Sequence, residues 1–182
     1  MKLPTFGAEQ TLVVADTQRR LIGQGSLVLL WGFVVGFLWL FWLIEQGLDG
    51  GIAGHARLWP FPGKLELGLP GTHDAWRMAH MEAIVNGFGL WLFALVLPLL
   101  PFGDLGKRRA AFWMTIVAWT IVVASTFDPL FEDARGLRLG LNAFNTIAFF
   151  LFYVGVVAVC VLVAVIAYKA LIAPPKPGTS ST

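Results

Sequence analysis

The sequence predicts an all-α integral membrane protein, a four-helix bundle. Three observations predict it. Hydrophobic residues make up 57% of the chain and charged residues only 13%, against roughly 45–50% and about 25% in soluble domains. Four apolar stretches each reach the roughly 20 residues that a hydrocarbon core requires. Most charges and prolines fall in the segments between them.

Residues 1–20 are polar and read as a cytoplasmic N-terminal segment. The first apolar run starts only near Leu21, is too long for a signal peptide and lacks a small-residue cleavage site. Residues 21–171 form the membrane domain. The first span, 21–44, contains Gly32-Phe33-Val34-Val35-Gly36, a spacing of small residues that lets helix backbones, including those of neighbouring chains, approach closely. Trp39, Trp42 and Glu45 end this span as an interface girdle, with Glu45 read as a solvated helix end.

Residues 47–73 form a long loop. Gly50-Gly51, Gly54, Pro60, Pro62 and Pro70-Gly71 exclude a continuous helix or strand. Trp59-Pro60-Phe61-Pro62 suits a loop on the membrane surface or over the bundle. His55 and His73 read as solvated loop histidines. The second span, 75–100, has Thr72 or Asp74 as its cap, and Pro98 and Pro101 end it. After a connector ending in Lys107-Arg108-Arg109, the third span covers 109–127. Its Thr115, Thr120, Ser125 and Thr126 are expected to bond back to their own helix. Asp128-Pro129 closes it, and Glu132, Asp133, Arg135 and Arg138 make a short charged loop. The fourth span, 141–171, opens with Asn142 and Asn145. Residues 172–182 read as a disordered tail.

Charge placement sets orientation. Lys2, Arg19, Arg20, Lys107, Arg108, Arg109, Lys169 and Lys176 fall on one side; Arg57, Lys64, Arg77, Arg135 and Arg138 fall on the other. The excess of basic residues belongs in the cytoplasm, which places both termini there and the start of the second span at the outer face. The net charge of +2 is spread over loops without forming a patch, so nucleic acid is not an expected partner. One cysteine, Cys160, excludes an internal disulfide and a cysteine-based metal site.

Chemistry concentrates in Trp76-Arg77-Met78-Ala79-His80-Met81-Glu82-Ala83-Ile84-Val85-Asn86-Gly87. Ionisable residues inside a membrane helix are costly and mark a site by default. Three readings of His80 stand side by side: a structural hydrogen bond to a neighbouring helix, a proton relay with Glu82, and axial ligation of haem iron. The haem reading has local support. The Trp76 carbonyl, four residues back, is positioned to hold the second ring nitrogen. Arg77 is a cation for a propionate, and Ala79 and Ala83 leave room for a flat macrocycle. No second intramembrane histidine exists, so one protomer leaves the other axial position open.

The pattern Trp-x-x-x-His followed by Asn-Gly, here Trp76, His80, Asn86 and Gly87, preceded by Pro70-Gly71, resembles the styrene-oxide isomerases. Gly23-x-Gly25, Leu97-Pro98, Trp119, Arg135-Gly136-Leu137 and the stretch 164–171 extend the resemblance over most of residues 20–171. The resemblance implies a bacterial inner-membrane protein of four helices, assembled as a homotrimer and binding haem b. His80 would be the proximal ligand of ferric iron. The iron would act as a Lewis acid on an epoxide oxygen, and a 1,2-hydride shift would give the aldehyde. Asn86 matches a family asparagine that helps hold that oxygen. The chain departs from the family in four places: a tyrosine falls at about Ser125, an aspartate at about Val117, an arginine is displaced to Arg77, and the first external loop is longer by several residues. The alternative is a haem-binding membrane protein without isomerase activity, a sensor or electron carrier; a further one is a haem-free interaction module.

His80 and Asn86 are six residues apart. At about 100° per residue they diverge by roughly 120° and are offset by about 9 Å. One helix does not place both on the same haem, so a neighbouring chain is expected to build the distal pocket.

Overall fold

In the computed structural model, which describes residues 6–46, 56–57, 64–65, 67–140 and 142–172, four helices carry the fold. They are α1 (Phe6–Gln46), α2 (His73–Val96), α3 (Asp104–Leu130) and α4 (Ala143–Leu171). A 3-10 turn, Leu97–Leu99, extends α2. Each helix contains a stretch long and apolar enough to cross a membrane, in α1 over Val14–Gln46, and the protein is a multi-pass membrane protein. Between α1 and α2, β1 (Ala56–Arg57) pairs antiparallel with β2 (Lys64–Leu65), a two-residue ladder inside the loop. The tail beyond residue 172, His55 and the Trp59–Pro62 stretch lie outside the described residues.

The helix ends follow capping chemistry. Thr72 accepts from the Ala75 amide at 3.3 Å and starts α2. Asn142 accepts from the Asn145 amide at 2.7 Å and starts α4. Asn145 is buried and donates to the Arg135 carbonyl at 2.7 Å, fastening the short charged loop to α4. Helix α1 begins at Phe6, well before the apolar run, because residues 6–20 contain nothing that breaks a helix after Gly7. Helix α3 runs past Asp128 to Leu130 with Pro129 in its last turn. A helix tolerates this because the lost hydrogen bond is one of few that remain there.

Helices α1 and α2 pack at backbone range. A Cβ on Gly25 would stand 2.9 Å from the Gly87 carbonyl oxygen, and one on Gly32 would stand 3.1 Å from the Ala83 Cβ. Gly32 and Gly36 therefore face α2 within this chain, where the sequence alone also allowed a contact between chains. Polar groups tie the helices across the apolar interior. Gln18 donates to the Ala94 carbonyl at 2.8 Å, Trp119 to Gln24 at 2.8 Å, and Trp31 to Thr126 at 3.1 Å. Thr115, Thr120, Ser125 and Thr126 bond back to their own helix. The core is small-residue rich: Ala79, Ala83, Ala94, Ala118 and Ala124 are fully buried beside Trp76, Leu90 and Val122.

Candidate functional site on the second helix

His80 lies about two turns inside α2 and faces α1. Its Nδ1 stands 2.9 Å from the carbonyl oxygen of Gly32. A carbonyl only accepts, so Nδ1 is the donor, and in the neutral tautomer that this bond selects the lone pair is on Nε2. This bond needs Gly36 as well: a Cβ there would lie 2.7 Å from Nδ1. The histidine borders a shallow apolar pocket of about 360 Å³ on the lipid-facing side, walled by Phe33, Phe37, Trp39, Leu40 and Leu43 of α1. Trp39 packs on the His80 ring at 5.9 Å and, edge-on, on His73 at 5.4 Å. His73 is thus the first residue of α2, two turns from His80 on the same face, rather than a free loop histidine.

The other polar residues of α2 point elsewhere. Asn86 donates Nδ2 to the Glu82 carbonyl oxygen at 2.8 Å. Glu82 lines a cavity of about 20 Å³ with Ser125 and Asp128 of α3, Arg135 of the following loop and Phe152 of α4. Oε2 of Glu82 is buried without a hydrogen-bond partner. Ser125 is buried and donates to its own Val122 carbonyl at 3.1 Å. Arg135 approaches Asp128 at 3.9 Å. A relay between His80 and Glu82 has no support in this arrangement, because one faces α1 and the other α3. Asp128, which in sequence closes the third span, lies three residues from Ser125 and so on the same face of α3.

A sequence profile of the styrene oxide isomerase family matches residues 17–171. The chain is also 31% identical, over 165 residues, to a styrene-oxide isomerase of Pseudomonas fluorescens, covering 85% of this chain and 88% of that one. The chain belongs to the styrene oxide isomerase family.

Within this family member, the residues singled out from the sequence divide into two groups. His80 borders the open pocket, and Trp76 belongs to the buried cluster of Val35, Trp42 and Ala79. The Trp76 ring is fully buried and donates Nε1 to the Pro70 carbonyl at 2.8 Å, fixing the loop end against α2. The acceptor for the His80 ring is Gly32, not the Trp76 carbonyl, because close helix packing brings a carbonyl from α1 nearer than the turn below. Arg77 is exposed and pairs with Asp74 at 3.4 Å. Asn86 and Ser125 stand apart from the His80 pocket, with Ser125 beside Glu82. Glu45 is not simply a solvated helix end: its Oε1 accepts from the Leu67 amide at 2.5 Å and pins the loop onto α1.

Among the described residues, no group of three or more histidine, cysteine, aspartate or glutamate side chains could hold a bare metal ion. A lone imidazole with a held Nδ1 suits a metal that brings its other ligands with it, as an iron porphyrin does.

Proposed function

We propose that this protein is a haem b-dependent epoxide isomerase that converts a styrene oxide-like epoxide to an aldehyde. The observation that carries the reading is the His80 geometry. Nδ1 is occupied by the Gly32 carbonyl, so the free Nε2 is the ligating nitrogen beside an apolar, lipid-facing surface. His80 would hold the iron, with Gly36 leaving the space over its ring that a larger residue would fill. When bound, ferric haem supplies a Lewis acid that polarises the epoxide oxygen.

The chain's own residues do the rest. The Gly32 bond fixes the ring plane and the tautomer of His80. Asn86 has two amide hydrogens; one is spent on the Glu82 carbonyl, which sets the orientation, and the other remains for a substrate oxygen. Donors aimed at developing negative charge on oxygen are what such a ring opening requires. The apolar walls exclude water, which would otherwise add to the opened ring and give a diol instead of letting hydride migrate. The pocket beside His80 has one wall in a single chain, and Asn86 lies away from it. A homotrimer, in which a neighbouring chain supplies the second wall and the distal asparagine, accounts for both. The orientation with both termini in the cytoplasm of a bacterial inner membrane follows from the distribution of basic residues.

Ser125 favours a second reading. Its hydroxyl bonds to its own helix and lines a cavity of about 20 Å³, where the family resemblance leads one to expect a tyrosine. A haem protein without isomerase activity would have this feature. Assaying aldehyde formation from styrene oxide and bulkier or aliphatic epoxides separates the two. Product from any of them, without nicotinamide, flavin or oxygen, supports the isomerase. No product with haem fully loaded supports the sensor or electron carrier.

A further inference from the structure

We propose that the groove between α3 and α4 is a binding site for one anionic phospholipid, with an acyl chain along the groove and the phosphate at Arg109. The groove is an apolar recess of about 550 Å³ lined by α3 and α4, away from the α1–α2 face that holds His80. Gly106 and Ala110 of α3 and Ala158 of α4 form its floor, and their small side chains are what keep it open.

The two helices touch near its inner end. There Gly155 is buried, and a Cβ on it would lie 2.8 Å from the Thr120 hydroxyl oxygen. From that point the groove continues along both helices toward the start of α3, past Trp113 and Arg109 on one side and Leu162 and Val165 on the other. Helix α4 is poorly covered: 6% of its most apolar stretch is buried, against 44% for α3.

Length decides what fits. The α4 wall runs from Tyr153 to Val165, twelve steps of 1.5 Å or about 18 Å. That is close to one leaflet of a hydrocarbon core roughly 30 Å thick. A membrane-spanning helix from a second copy would need a contact surface through both leaflets. An acyl chain anchored at one surface needs only this one.

Charge completes the match at the open end. Arg109 lines the groove there and makes no ion pair among the described residues. Lys169 follows Val165 by one helical turn and is exposed. Arg108 turns to another recess beside Asp16 and Arg20, and Lys107 donates to the Pro98 carbonyl at 2.8 Å. Asp104 is the acidic residue of this helix end. Arg109 is thus a cation at the mouth of an apolar slot with no ion pair among the described residues, and its guanidinium can grip a phosphate through two parallel hydrogen bonds. Basic pockets between membrane helices select anionic headgroups in this way.

The test uses Trp113, which lines the groove. The full-length protein is placed in phosphatidylcholine nanodiscs containing graded amounts of dibrominated phosphatidylglycerol or dibrominated phosphatidylcholine. The Trp113 contribution to fluorescence is the difference between wild type and Trp113→Phe. Quenching of that contribution should need about fivefold less brominated phosphatidylglycerol than brominated phosphatidylcholine, as one basic contact implies. Arg109→Gln should bring the two lipids together. Equal quenching by both lipids in the wild type would overturn the site in favour of ordinary boundary lipid. Absence of quenching by either would overturn it in favour of a groove covered by protein, such as a second copy. The wild-type ratio decides the matter even if Arg109→Gln cannot be reconstituted.

Discussion

The Nδ1 of His80 stands 2.9 Å from the carbonyl oxygen of Gly32, a residue 48 positions earlier in the chain. This one bond joins the two helices that approach most closely and sets which imidazole nitrogen faces outward. The carbonyl is within reach because Gly32 and Gly36 carry no side chain on the α2-facing side of α1.

Gly36→Ala should therefore disturb His80 directly. The new Cβ would stand 2.7 Å from Nδ1, in a contact that must be relieved by moving the ring or spreading α1 from α2. Overpacking of this kind costs about 1–3 kcal/mol. Thermal unfolding in detergent should show the loss of stability, and the absorption spectrum of haem-loaded protein should show an altered or depleted ligand environment. An unchanged spectrum and melting temperature would separate His80 orientation from the glycine.

Asn86→Ala should lower aldehyde formation by about 10²–10³, the effect of removing one donor aimed at a developing oxyanion. Haem content should stay at the wild-type level, since Asn86 lies about 9 Å along the helix from His80. Combined loss of haem and activity would instead make Asn86 a structural residue.

Ser125→Tyr should destabilise rather than restore. Ser125 is 4% exposed, and the cavity beside it holds about 20 Å³, room for no more than one water. A phenol ring there must push on Glu82 or Phe152, at a cost of about 1–3 kcal/mol. Reduced yield of folded protein and a lower melting temperature are the expected results. A stable Ser125→Tyr protein with faster turnover would show that the bundle opens at this point.

Oxidation state should control the rate. Ferric iron is the harder Lewis acid and the better partner for an epoxide oxygen, so anaerobic reduction with dithionite should slow aldehyde formation, and reoxidation should restore it. Equal rates in both states would remove the Lewis-acid step from the account.

Much of this was legible in the chain. Four apolar stretches gave the number of helices, and Thr72 was one of two residues that capping chemistry offered for the start of α2; Asn142 was read inside the fourth helix, where the structure makes it the cap. His80 stood out because an ionisable group in a membrane helix is expensive. What was not legible depends on contacts between distant segments. The Gly32 carbonyl replaced that of Trp76 because helix separation, which no local pattern encodes, decided which carbonyl came nearest. Glu45 looked like a solvated helix end until the loop folded back and placed the Leu67 amide over it. The cavity shared by Glu82, Ser125, Asp128 and Arg135 draws on two helices and a loop, and each residue alone reads as incidental. The start of α1 was missed because hydropathy finds membrane boundaries and not helix boundaries; polar residues continue a helix as readily as apolar ones do.

The most direct test of the central claim is the absorption spectrum of detergent-purified protein, wild type beside His80→Ala. The wild type should carry a Soret band with about one haem per chain, and His80→Ala should lose it or bind haem far more weakly, while His73→Ala keeps it. A wild type without a Soret band after haem supply, or full haem retention in His80→Ala, would contradict the assignment.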